Sequence, residues 1–322
     1  MISRTLITAG ILGLTAAPLA QAQADDYPSE PIKIVVPFAA GDALDQSARV
    51  IADQMEDELD VSVVIQNIAG AGGAVGTAEA VQAEPDGYTL LMGSTGALTA
   101  RPLMADSGYK TDDFQPLAQL VEVPIGLAVA KDSEWEDVDQ LFAAAEDERI
   151  TYSTPGPGTT QHINMGQFAL ENGLNLSHIG GKGGTGAVTN VLTGEVDFVF
   201  VGATNYLGHL DGEDDEGLRV LGVGSEERVD YLPDTPTFQE AGHDLTAAVW
   251  FGLLTHSEVP EERVAFLEEL ISKVAQSEET RDAYAKFNLQ DSFLDADAFQ
   301  ERIDGNVELH RQILTDMGVL EN

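Results

Sequence analysis

Short apolar runs and longer amphipathic stretches alternate along this chain. Between Pro31 and Pro37 the run Ile-Lys-Ile-Val-Val has the near-continuous apolar character of a strand buried on both faces. Leu44, Ala48, Ile51, Ala52, Met55 and Leu59 then fall at helical spacing, which predicts a helix over 43–59 with Asp42 as its N-cap. A strand over 61–65, a glycine turn at 70–73, a helix over 74–83, the turn Pro85-Asp86-Gly87 and a strand over 88–92 follow. The same rhythm restarts in the middle of the chain, with strands at 150–152, 177–179 and 196–201 separated by a helix over 159–171 and another ending near 193. Further strands are predicted over 218–223 and 245–254. The remainder reads as helical: 260–276 with Pro260 at its first position, 278–287, and 296–317 capped by Asp295. This order of strand, loop and helix predicts parallel pairing and an α/β fold. In 322 residues it makes two α/β units, a bilobal body.

The N-terminus has a different character. Arg4 is the only charge before Asp25, residues 6–19 are apolar or small, and Ala22-Gln23-Ala24 offers a small-x-small cleavage site. This predicts a secretory signal peptide over 1–24, cleaved after Ala24, and an exported chain. The apolar stretch is shorter than the roughly 20 residues of a membrane span.

Charge narrows the partners. There are 55 Asp+Glu against 16 Lys+Arg, a formal net charge of -39, with the acid dispersed along the chain rather than gathered in a tail. Such a surface repels phosphate backbones and anionic headgroups, which argues against nucleic acid or a lipid surface as partner. It also repels itself unless molar salt screens it within about 3 Å, so the composition predicts a protein that works at high salt. The absence of cysteine removes disulfides, thiolate metal sites and cysteine nucleophiles together.

Four loops stand where ligands bind in open α/β sheets, beyond the carboxyl ends of predicted strands: 38–45, 70–76, 153–160 and 180–185. Each leads into a predicted helix, whose first backbone N–H groups favour an anion without a charged side chain. Ser94, Thr95, Ser153, Thr159 and Thr160 are candidate neutral donors, and only Lys182, Arg49 and His162 stand near as cations. Asp42 and Asp45 read as a helix cap and a loop-bracing acceptor, and Trp250 and Phe251 as core or cleft lining. Other chemistry has no foothold. There is no phosphate-binding P-loop, no Gly-x-Ser-x-Gly elbow and no metal-spaced histidine pair among His162, His178, His209, His243, His256 and His310. No catalytic residue, cofactor or metal is expected.

From about Tyr27 to Gly318 the chain resembles the periplasmic substrate-binding proteins of tripartite tricarboxylate transporters, the Bug receptors. The carriers are Tyr27-Pro28 with Pro31 to Phe38, Gly41, Asp45 and Ala48-Arg49, then Gly70-Ala-Gly-Gly73 and Pro85-Asp-Gly-Tyr-Thr-Leu-Leu91. Further along they are Tyr152-Ser153, Gly158-Thr159, His162, Lys182-Gly183, Gly194-Glu-Val-Asp197, Leu232-Pro-Asp-Thr-Pro-Thr237, Glu240-Ala-Gly242 and Trp250-Phe-Gly-Leu-Leu254. The resemblance implies a type II-like periplasmic-binding-protein fold, two α/β lobes joined by a two-strand hinge, with 25–127 plus 250–322 in one lobe and 128–249 in the other. It implies a monomeric periplasmic receptor that closes on a small organic carboxylate and delivers it to integral-membrane permease subunits. Its ligand-binding set carries over to Phe38, Ala39, Gly41, Asp45, Gly72, Gly73, Ser94, Thr95, Ser153, Thr154, Gly158, Thr159, His162 and Lys182. The chain departs from the family pattern at Asp42, at Gly180-Gly181 and at Val201-Gly-Ala-Thr204, which reshapes the walls of the site. Two other readings share the same residues: an extracellular carboxylate sensor, and a secreted enzyme using Asp42 or Asp45 with His162.

Overall fold

The computed structural model describes residues 27–210 and 217–320. The signal segment expected over 1–24 lies outside the described residues. The chain opens with β1 (Ile32–Val36), α1 (Ala43–Glu58), β2 (Val63–Asn67), α2 (Ala74–Val81), β3 (Thr89–Ser94), α3 (Thr95–Thr99), α4 (Arg101–Met104) and β4 (Phe114–Ala130). Then come α5 (Val138–Asp147), β5 (Ile150–Thr154), α6 (Thr160–Asn172), β6 (Leu176–Gly180), α7 (Gly184–Leu192), β7 (Phe198–Gly202) and β8 (Leu218–Val223). The last section holds β9 (Ala248–His256), α8 (Glu261–Ala275), α9 (Glu278–Lys286), β10 (Gln290–Leu294) and α10 (Ala296–Asp316).

The strands form a mixed sheet in the order β2-β1-β3-β9-β4-β7-β5-β6, with β10 and β8 also pairing β4. Strand β4 is the spine. Its first part, Phe114 to Pro124, pairs antiparallel with β9, and from Ile125 to Ala130 it pairs instead with β7 and β8. The chain returns beside that switch, where Ile125 N donates to Ala247 O at 2.8 Å. Two segments therefore cross between two α/β lobes.

Each lobe covers its sheet on both faces, and strand alternation sorts the side chains. In β1, Ile34 packs with α1, α8 and Tyr284, while Val35 faces Trp250 and Phe299 on the other side. In β7, Phe198 and Phe200 join Leu141 and Phe168 on one face, and Val199 and Val201 join Ala187 and Tyr206 on the other. A smaller cluster bridges the lobes: Ile163 of α6 packs against Ala100, Ile313 and Leu314.

Elements α3, α4, α5, β4 and β10 lie outside the sequence expectation. The 17-residue strand β4 was not predicted, because Pro116 and Pro124 interrupt its pattern. Proline is tolerated in strands at bulges and edges. The register shifts between Pro116 and Ala118, and Pro124 sits where the partner changes. The C-terminal part is not all helix, since β10 pairs antiparallel with β4 at Gln290 and Asp291.

Candidate functional site

Parallel strands leave their connecting loops at one end of the sheet, and the crevice there is the ligand position of open α/β folds. Here the loops after β1, β2, β3, β5 and β6 meet. A Cβ on Gly72, after β2, would stand 2.3 Å from Pro157 O, after β5. One on Gly96, in α3, would stand 2.3 Å from Thr160 N at the start of α6. One on Gly183, after β6, would stand 3.4 Å from Asp42 Oδ2, after β1. Gly72 also holds a left-handed φ of 66°, so its conformation and its neighbour both require glycine. The four glycine loops share one cleft, closed to backbone contact.

Between them lies a cavity of about 40 Å³, room for a few waters. Its polar lining is Asp42, Ser94, Thr159, Thr160, Gln161 and Asn205, and Phe38, Leu44, Val123, Val249 and Phe251 supply apolar walls. No lysine, arginine or histidine lines it. Anion affinity at such a site comes from the starts of α1, α6 and α7, where the first backbone N–H groups have no partner within the helix.

At α6 the cap is Thr159, whose Oγ1 donates to Gly156 O at 2.8 Å and accepts from His162 N at 3.4 Å. Thr160 follows as the first helical residue. It is 4% exposed, and its Oγ1 is buried with no hydrogen-bond partner among the described residues. Ser94 heads α3 without engaging its hydroxyl in the cap. On the facing wall Asn205 Nδ2 donates to Gly202 O at 3.0 Å, leaving Oδ1 beside Gly184.

The two aspartates of the first loop differ sharply. Asp42 caps α1, with Oδ1 accepting from Asp45 N at 3.1 Å. Burial pushes its carboxyl up to about 7; the Asp45 charge adds to the rise and the Asp45 and Leu44 amides oppose it. Burial also works against the Asp45 carboxylate, but the Arg49 guanidinium, the Gly41 amide and Asn67 outweigh it and hold the pKa below the ordinary value. Gly41 N reaches Asp45 Oδ2 at 2.8 Å, and Asn67 Nδ2 reaches Oδ1 at 2.9 Å. This network ties the first loop to β2.

Residues 47–319 match the tripartite tricarboxylate transporter family receptor. The chain belongs to that family. The receptor is 32% identical to protein BugT of Bordetella pertussis over 289 residues, 88% of each chain. Its fold matches the periplasmic binding protein BugD with a TM-score of 0.82 at 27% identity, covering 92% of this receptor and 100% of BugD. A protein of R. palustris solved with adipate matches with a TM-score of 0.84 at 23% identity, covering 91% and 99% of the two chains. The bilobal periplasmic-binding-protein fold follows, and family and fold are those of solute-binding proteins rather than enzymes. Among the described residues no helix is long and apolar enough to cross a membrane.

Of the residues expected in the receptor's site, Phe38, Ser94 and Thr159 line the cavity. Gly72, Gly73 and Ala39 shape the loops that close over it, with Gly73 packed against Phe38 and Ala97. Others lie one layer back, bracing those loops. Gly41 and Asp45 hold each other, Thr95 Oγ1 accepts from Trp250 N at 3.0 Å, and Ser153 Oγ donates to Ile179 O at 2.8 Å. Thr154 Oγ1 meets His178 Nε2 at 2.8 Å, and Gly158 turns with φ 79° against Arg101.

The expected cations do not line the cavity. Arg49 is paired with Asp45 at 2.9 Å, and Lys182 is exposed. His162 accepts from Gly158 N through Nδ1 at 3.3 Å and packs 4.2 Å from the His178 ring. Burial lowers the pKa of both imidazoles, that of His178 to about 3 with His162 as a second cause. Sequence reasoning missed Gly96, Gln161, Asn205, Val123 and Val249 as lining, and left Asp42, read as a cap and as a departure from the family pattern, out of the binding set. Asn205 carried a signal: it follows β7, one residue beyond Val201-Gly-Ala-Thr204, where the chain departs from the family pattern.

Proposed function

We propose that this receptor captures a small organic carboxylate in the periplasm and hands it to the permease subunits of a tripartite transporter. One observation carries the reading: helix starts and a buried, unpartnered Thr160 hydroxyl converge on a cleft with no cation in its lining. Such a site supplies directed donors to an anion and nothing that would neutralise a phosphate fully. The related fold solved with adipate is in keeping with it. In this reading the lobes, expected to divide near 127 and 250, part where β4 changes partner at Pro124–Ile125 and where the chain returns at 247–248. Ligand contacts from both lobes favour the closed form, and the permease recognises that form.

A thermal-shift panel in molar salt tests the carboxylate step. Mono- and dicarboxylates are expected to raise the melting temperature by mass action, whereas sugars and inorganic cations leave it unchanged. A sugar that stabilises the protein while no organic acid does would overturn the reading.

A further inference from the structure

The cavity lining holds two unlike sets of groups. One is the start of α6, with its first amides and the Thr160 hydroxyl, 4% exposed and without a partner among the described residues. The other is Asp42, 7% exposed and next to Gly183, with the Asn205 Oδ1 acceptor beside the following residue, Gly184. Asp42 already places a carboxylate between the starts of α1 and α7, since Oδ1 caps α1 and Oδ2 approaches Gly183. The anion position between those two helix starts is therefore filled by the protein itself. A second, external carboxylate there would face Asp42 directly, and two carboxylates at contact in a low-dielectric cleft cannot both stay ionised, so it would bind only at the cost of a proton taken up.

We propose that Asp42 sets the receptor's specificity: the ligand is a small acid with a hydroxyl or ammonium donor, its carboxylate on Thr160 and α6, its donor on Asp42. This rests on the carboxylate reading above and sharpens it. Hydrogen bonding to the Asp42 carboxylate meets the need that burial creates, because a buried charge without a cation is costly until a donor reaches it. Asn205 Oδ1 gives the same donor a second acceptor, since Nδ2 is already held by Gly202 O. The two sets of groups then reject different errors: loss of the carboxylate leaves Thr160 unpartnered, and loss of the donor leaves Asp42 so. Sites that hydrogen-bond a ligand group discriminate strongly against analogues lacking it.

Matched acids separate the two levels. Isothermal titration in molar salt would compare propionate, lactate and alanine; succinate, malate and aspartate; and glutarate, 2-hydroxyglutarate and glutamate. At least one hydroxy or amino acid is expected to bind ten-fold or more tighter than the donor-free member of its own set. Asp42→Asn and Asp42→Ser both keep a capping side chain at α1, and each is expected to cut that preference at least ten-fold while the diacid gains affinity. Thr160→Val is expected to weaken every acid that binds by a similar factor, five-fold or more. Equal affinity within every set, or a preference that survives both Asp42 variants, overturns the role of Asp42 and leaves the carboxylate reading standing. Binding by none of the nine acids, with sugars still inactive, removes this inference together with the reading beneath it. Melting curves of each variant confirm that it is folded.

Discussion

Gly96→Ala is expected to disable ligand capture without unfolding the receptor. Gly96 lies in α3 without a left-handed φ, so alanine itself adds no backbone strain. The new Cβ, however, would stand 2.3 Å from Thr160 N, 2.7 Å from Thr159 C and 2.8 Å from Thr159 Cα. These are backbone atoms of the opposite lobe and cannot swing aside as a side-chain tip would. Reaching an ordinary separation of about 3.5 Å requires the lobes to part by ~1 Å at this point. A donor 2.9 Å from a ligand oxygen then moves to ~4 Å, beyond hydrogen-bond range. One hydrogen bond to a charged group contributes ~1.5–3 kcal/mol, so the dissociation constant should rise roughly 10- to 150-fold. Titration with the tightest-binding acid, in molar salt, measures the loss, and small-angle scattering with saturating ligand measures the radius of gyration. Gly305→Ala is the control: it lies inside α10 with nothing within 4 Å, and should gain about 1 kcal/mol of stability with no change in affinity. A Gly96→Ala protein that binds as tightly as the parent and compacts equally on binding would refute the claim that this contact limits closure.

Asp42 should leave a signature in the pH dependence of stability. Its carboxyl rises from an ordinary 3.8 to about 7 in the folded protein, so the proton is held more tightly when folded. The stabilisation is full below about pH 4 and lost as pH climbs through 7, ~4 kcal/mol at most, and less where the cleft opens to rehydrate the charge. The charged group that acts on it is Asp45, itself paired with Arg49. Asp42→Asn keeps the cap, so urea midpoints measured between pH 4 and 8 should be flatter than the parent's; parallel curves would count against the buried charge. Asp45→Ala should destabilise by about 2–3 kcal/mol, because the Gly41 amide and Asn67 lose a 2%-exposed partner; urea unfolding decides, and a loss under 0.5 kcal/mol would show the network to be dispensable. With a net charge of -39, the parent's urea midpoint should rise steeply from low to molar salt, and an unmoved midpoint would dismiss self-repulsion as a factor.

Local chemistry was enough for much of this molecule. Apolar runs marked β1, β5 and β8, helical spacing marked α1, and the predicted caps Asp42 and Asp295 stand at the helix starts of α1 and α10. These features depend on neighbours within a few residues, and their physics is the same in any fold. The glycine loops were likewise readable, since a chain that must turn tightly or approach another backbone needs them. What eluded local reading depends on partners far along the chain. Strand β4 is a strand because β9, β7 and β8 pair with it from more than 60 residues away, which outweighs two prolines. Whether a loop hydroxyl faces ligand or scaffold is decided the same way: Ser153 turns to Ile179, Thr95 to Trp250, and Thr160 is left without a partner in the cleft. Asp42 shows both levels at once. Its role as a cap follows from four consecutive residues, but its burial, and with it the raised pKa, depends on partners such as Gly183, which comes a hundred and forty residues later in the chain.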